Sequence, residues 1–164
     1  MTGPGRRSHP APERLWVERT DAAIALLAKA PVAGHAKTRL VPPLSPLEAA
    51  RVARALLSAT VESLVLAVPA RWTLFLDGQA DAGLLGLACR AGMNLRPQSD
   101  GDLGARLISA LRALRAEGAT RVAAIGADAP TLPPRLLAEA IRALGDRHLV
   151  LGPTEDGGYY LVGL

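Results

Sequence analysis

Apolar positions in this chain fall into short unbroken runs separated by stretches of helical period, and the first run, Ala22 to Ala28, sets the pattern. A run of that length bounded by turn residues predicts a buried strand. Similar runs predict strands at 72–76, 94–97, 121–125, 148–151 and 159–164. Ser45-Pro46-Leu47-Glu48 combines a cap, a first-turn proline and a capping-box glutamate. It predicts a helix running to Leu66 and closed by Pro69. A weaker helix is expected over 80–91, with Gly92 as its stop. Another follows the polar, glycine-rich loop 98–106 and runs to Glu117, and a fourth spans 133–144. Strands alternating with helices and ending in two adjacent strands predict an α/β fold, a three-layer α/β/α sandwich with a mostly parallel sheet. That gives one domain over residues 21–164. Residues 1–20, rich in Pro, Arg and Gly and without periodicity, are expected to form a disordered tail.

Composition narrows the partners. Aromatic residues make up 3% of the chain, so the stacking platforms that bind nucleic acid are hard to build, and no nucleic-acid partner is expected. The net charge of +4 is spread out rather than striped, which suits a small anionic ligand. No run approaches the roughly 18 apolar residues of a membrane span. Arg6-Arg7 is followed by no apolar segment, so neither a secretory nor a twin-arginine leader is read. A cytoplasmic protein is the default expectation. The single cysteine, Cys89, forms no internal disulfide, and its apolar neighbours Leu87 and Ala88 predict a buried thiol in a helix.

The densest chemistry follows the first strand. KAPVAGHAKTRL, residues 29–40, carries Pro31 and Gly34 as breakers and then the triplet Lys37-Thr38-Arg39. A strand running into a loop with closely spaced cations is where an open α/β sheet holds phosphate. Lys37 offers a point charge and Arg39 a planar fork; a solvated surface loop is the plainer alternative. The stretch is not a Walker A loop. That motif needs glycines where this chain has Ala36 and Pro31. Three later stretches add candidates. The loop 98–106 opens onto a helix N-terminus, which either binds an anion or is capped by Asp100 or Asp102. Asp128 stands at the carboxyl end of a predicted strand, where it would hold a hard divalent cation against ligand phosphates or simply stabilise the turn. In 152–158, Glu155 and Asp156 supply carboxylates, while Gly157 and Gly158 let backbone approach a ligand; a plain strand connection is the alternative. His35 and His148 have no second histidine at ligand spacing and are read as solvated or hydrogen-bonded.

Taken in order, KAPVAGHAKTRL (29–40), QSDGDLGAR (98–106), GADAPTL (126–132) and GPTEDGGYYLVGL (152–164) resemble the DUF2064 family. Its members are described as candidate glycosyltransferases, including those assigned to arsenosugar biosynthesis, and as radical-SAM/selenodomain-associated transferases. The chain is more distantly similar to phospholactate and molybdenum-cofactor guanylyltransferases. The resemblance covers residues 22–164 and implies a GT-A, nucleotide-diphospho-sugar transferase fold. It implies nucleotide and phosphate binding by Lys29, Gly34, Lys37 and Arg39, with Gln98, Asp102 and Arg106 bordering the site. It makes Asp128 the ligand of Mg2+ or Mn2+, and Asp156, with Gly157 and Gly158 on the acceptor side, a base or orienter for the acceptor hydroxyl. The implied reaction is metal-dependent transfer from a nucleotide-activated donor to a small-molecule acceptor, first as glycosyl transfer. Nucleotidyl transfer with pyrophosphate release is the alternative. One departure stands out: family members continue past GGYYLVGL into a tryptophan-containing and an Asp-rich stretch. Against them the chain is C-terminally short. That favours a third reading, a truncated, non-catalytic nucleotide-binding or interaction protein, and exposed sheet surface would favour a homo-oligomer.

Overall fold

A computed structural model describes residues 21–164. The tail expected over residues 1–20 lies outside the described residues. A single six-stranded sheet organises the chain, in the order β3-β2-β1-β4-β6-β5. Its strands are β1 (Ala22–Lys29), β2 (Arg71–Asp77), β3 (Asn94–Pro97), β4 (Arg121–Gly126), β5 (Val150–Pro153) and β6 (Tyr159–Gly163). The strands β1 to β4 run parallel to one another; β6 runs antiparallel to both β4 and β5. The helices are α1 (Pro46–Thr60), α2 (Ala82–Arg90), α3 (Leu103–Ala116) and α4 (Pro134–Ala143).

The unbroken apolar run of β1 has the physical cause expected of it: both faces are covered. Ala22, Ile24, Leu26 and Ala28 join a core with Leu57 of α1, Leu84 of α2 and Leu137 and Ile141 of α4. Ala23, Ala25 and Leu27 pack on the other face against Leu107, Ala110, Leu111 and Leu114 of α3. The layers are therefore helix, sheet, helix, as the alternation predicts. The chain steps outward from β1 to β2 to β3 and then crosses back over β1 to place β4 on its far side. The carboxyl ends of β1 and β4 thus flank the point where strand order reverses, where open sheets of this kind leave a crevice.

The local signals at α1 hold in detail. The Glu48 N–H donates to Ser45 Oγ at 3.3 Å and the Ser45 N–H donates to Glu48 Oε2 at 2.8 Å, completing the capping box. Its far end differs from expectation. The α-helix stops at Thr60 and continues as one wider π turn, Val61–Val65, before the chain leaves for Pro69. The extra residue per turn keeps Val61, Leu64 and Val65 all against the core. The strand expected over 148–151 begins two residues later, at Val150. Cys89 also corrects its expectation, because it is exposed. The buried seam of α2 is Leu84 and Ala88, one turn apart, and Cys89 lies about 100° further round the helix. No helix among the described residues is long and apolar enough to cross a membrane.

Candidate functional site

The loop after β1 is folded back on itself. The Val32 carbonyl accepts from the N–H groups of His35 and Ala36 at 3.0 and 3.2 Å, and Ala36 is buried. His35 Nε2 lies 2.9 Å from the Asp77 carbonyl oxygen and pins the loop to the end of β2. Lys37 then adopts φ 53° and ψ 35°, the one described non-glycine residue in the left-handed region. That conformation costs an L-residue about 1–2 kcal/mol and marks a backbone held by its surroundings. The turn brings Lys37 Nζ to 2.6 Å from Asp128 Oδ2, so the two residues singled out on separate loops form an ion pair across the crevice.

Asp128 stands just beyond β4 in a loop secured on two sides. The Ala127 N–H donates to the Leu27 carbonyl of β1 at 3.0 Å, and the Ala127 carbonyl accepts from the Thr60 hydroxyl at 3.0 Å. Thr60 is fully buried where α1 passes into its π turn. On the opposite wall, the Gln98 amide donates to the carbonyls of Ala28 and Phe75 at 2.9 and 3.0 Å, joining the ends of β1 and β2. Its Oε1 accepts from Arg106 Nη1 at 3.2 Å, and the same nitrogen reaches Asp77 Oδ2 at 2.7 Å. The Arg106 guanidinium holds the Asp77 carboxyl below the usual carboxylate range, with His35 and Lys29 adding to the effect.

These groups enclose a cleft of about 460 Å³ lined by Lys29, Lys37, Asp77, Gln98, Arg106 and Asp128 over apolar Leu27, Ala28 and Leu57. A second hollow of about 350 Å³ adjoins it and shares Leu27, Leu103, Gly126 and Asp128 as a common wall. Its other side carries Thr154, Asp156, Gly158, Tyr159 and Tyr160. Asp156 Oδ1 accepts from the Thr154 hydroxyl and, at 3.1 Å, from the Gly158 N–H. Those two bonds hold the Asp156 carboxyl below its ordinary range.

Among the described carboxylates, Asp128 is the one that both hollows share. Its carboxylate is 65% exposed, lines both hollows and lies at a strand end. Among the described residues no three His, Cys, Asp or Glu side chains gather as a metal cluster. Asp128 fits the mode in which one protein carboxylate holds a hard divalent ion and ligand phosphates complete its shell.

Comparison with known proteins bears on the family and the fold. A family model described as an uncharacterized protein conserved in bacteria, DUF2064, matches residues 60–164. The chain belongs to the DUF2064 family. No curated protein matches it in sequence. Among solved structures, a candidate nucleotide-diphospho-sugar transferase from Desulfovibrio desulfuricans superposes with a TM-score of 0.77 at 26% identity, covering 88% of this chain and 63% of that one. A cytidylyltransferase from Leptospira borgpetersenii gives 0.53 at 12% identity, over 89% and 60% of the two chains. A 4-diphosphocytidyl-2C-methyl-D-erythritol synthase from Anaerococcus prevotii gives 0.51 at 13%, over 84% and 62%. The fold is therefore that of nucleotide-diphospho-sugar transferases, and this DUF2064 chain spans about three-fifths of the length of these relatives.

Of the residues anticipated for the site, Lys29, Lys37, Gln98, Arg106 and Asp128 line the first cleft, and Asp156 and Gly158 the second hollow. Arg39 sits exposed on the short turn Thr38–Leu40 and lines neither. Gly34 and Gly157 take φ values of 78° and 82° and serve the turns they occupy. Asp102 caps α3, accepting from the Ala105 N–H at 2.8 Å, the plainer of its two readings. Asp77, Thr60, Thr154, Tyr159 and Tyr160 were not anticipated. Only Asp77 carried a signal, as a carboxylate that ends β2 much as Asp128 follows the end of β4.

Proposed function

We propose that this DUF2064 chain carries a transferase site for a nucleotide-activated donor, and that the reaction is glycosyl transfer from a nucleoside diphosphate sugar. The observation that supports this most is the convergence of Lys29, Lys37, Arg106 and Asp128 on one cleft at the strand-order reversal. Three cations and two carboxylates line that cleft, a balance suited to a diphosphate. The likeness to a candidate nucleotide-diphospho-sugar transferase favours a sugar as the transferred group.

In this reading Lys37 leaves Asp128 for the diphosphate and neutralises charge that grows there as the sugar departs. Arg106, oriented by Asp77 and Gln98, faces the same cleft as a second fixed cation. Asp128 would hold Mg2+ or Mn2+, which supplies Lewis-acid stabilisation of the leaving diphosphate when bound. Asp156 orients the acceptor hydroxyl; its lowered carboxyl makes it a poor base.

Thermal unfolding against UDP-, GDP-, CDP- and ADP-linked sugars and nucleoside triphosphates, with and without Mn2+, tests the assignment, because a ligand of the folded state raises Tm by mass action. A nucleotide sugar should raise Tm, more so with Mn2+. Asp128→Asn should remove the metal-dependent part and Lys37→Ala should weaken the whole. Wild-type binding in both variants would remove the site. Release of nucleoside diphosphate on turnover is expected; pyrophosphate release from a triphosphate would replace glycosyl with nucleotidyl transfer.

A further inference from the structure

The two adjoining hollows carry opposite charge, and that difference selects a class of acceptor. The first cleft sets Lys29, Lys37 and Arg106 against Asp77 and Asp128, a net positive lining. Among the described residues, the only charged groups on the second hollow are Asp128 and Asp156. The rest of its lining is apolar or aromatic, with Leu103 at 63% and Tyr159 at 48% exposure presenting bare surface. Tyr160 lies against the backbone of Gly152, where an added Cβ would run into its ring carbons.

From this we propose that the second hollow receives an uncharged or cationic small alcohol, sugar-like in having one apolar face, and excludes phosphorylated and carboxylated acceptors. The inference rests on the donor reading of the first cleft, which makes its neighbour the acceptor site. A space of about 350 Å³ suits one small molecule. The apolar face of such a molecule meets Tyr159 and Leu103, and its hydroxyl or ammonium groups donate to the carboxylates. Asp156 has Oδ1 occupied by Thr154 and Gly158, while Oδ2 has no partner among the described residues and is open to a donor from outside. Asp128 is paired with Lys37, so an anionic group there would face the unpaired charge of Asp156 with no cation on the lining to receive it, an arrangement that disfavours a partner by like charge.

Backbone-amide NMR of the chain with three matched probes tests the inference: methyl glucoside, glucosamine and glucose 6-phosphate. The amides of Gly158, Tyr159 and Tyr160 report the hollow, and those of Lys29 and Lys37 report the donor cleft. Methyl glucoside and glucosamine should move the first set, with glucose 6-phosphate weaker by about tenfold or more. Asp156→Lys, a change at an exposed position, should narrow or invert that order. Equal or tighter binding of the phosphate at the hollow by the wild-type chain would overturn the inference, as would no perturbation there by any probe. Nucleotide sugars that leave Lys29 and Lys37 unmoved, while the hollow still sorts the probes by charge, would remove the donor reading and leave the charge selection standing.

Discussion

Thr60→Val removes one hydroxyl from the support of the candidate metal-binding carboxylate and changes little else. Thr60 is fully buried, and its Oγ1 donates to the Ala127 carbonyl at 3.0 Å across 67 residues of sequence. Valine keeps the branched shape and a similar helical preference, so neither cavity nor backbone effects intrude. It leaves the Ala127 carbonyl buried beside a methyl group. An orphaned buried acceptor costs about 1–3 kcal/mol, against about 1 kcal/mol for the net worth of an ordinary hydrogen bond. A loss of about 2 kcal/mol is therefore expected. In a chain of this length that lowers Tm by about 4–8 °C. Urea unfolding followed by circular dichroism gives the direct measurement, with the midpoint moving and the slope unchanged. Thr60→Ser, which keeps the hydroxyl, should recover much of the loss. Because Ala127 immediately precedes Asp128, Thr60→Val should also weaken Mn2+-dependent nucleotide binding more than metal-free binding. A Thr60→Val chain as stable as wild type would refute the reasoning, since the hydroxyl would then support nothing.

Further expectations follow from the same contacts. Arg106→Gln should release the Asp77 carboxyl toward its ordinary range, seen by NMR titration, and cost about 1–2 kcal/mol, because the pair is only about a quarter exposed; an unmoved Asp77 titration would deny the pairing. Gly152→Ala drives a methyl into the Tyr160 ring and should destabilise by about 1–3 kcal/mol while altering the near-UV dichroism; an unchanged spectrum and Tm would show that the ring is free to move. Glu48, Asp77, Asp81 and Asp156 all have carboxyls held below the ordinary value by hydrogen bonds or cations. At acid pH the unfolded chain then binds more protons than the folded one. Their stabilisation is complete above the ordinary carboxylate pKa of about 4 and declines as pH falls below it. Chemical denaturation at a series of pH values should show a plateau near neutrality and a fall below about pH 4; stability that rises on acidification would contradict the sign.

Much of this protein is written in local sequence. The doubly apolar run at 22–28, the capping box at Ser45 and Glu48, and the glycine stops specify their elements because strand period, helix caps and turn chemistry act over a few residues. Alternation of those elements then leaves few ways to arrange the sheet. Lys37, Asp128 and Asp156 were legible as candidates because each follows a strand in a loop rich in turn residues. What they touch was not legible. Parallel pairing sets Lys29 beside Asp77, and crossing back over β1 sets Asp128 opposite Lys37. Arg106 meets Asp77 across 29 residues, and Thr60 meets Ala127 across 67. Arg39 stands out to solvent in the same fold, whereas Asp102 serves its own helix as a local cap. The same long-range closure divided the charge between two adjoining hollows. Local propensity selects the conformation of a segment, whereas the sign and shape of a site depend on the register in which distant segments pack, and that register is set only when the whole core closes.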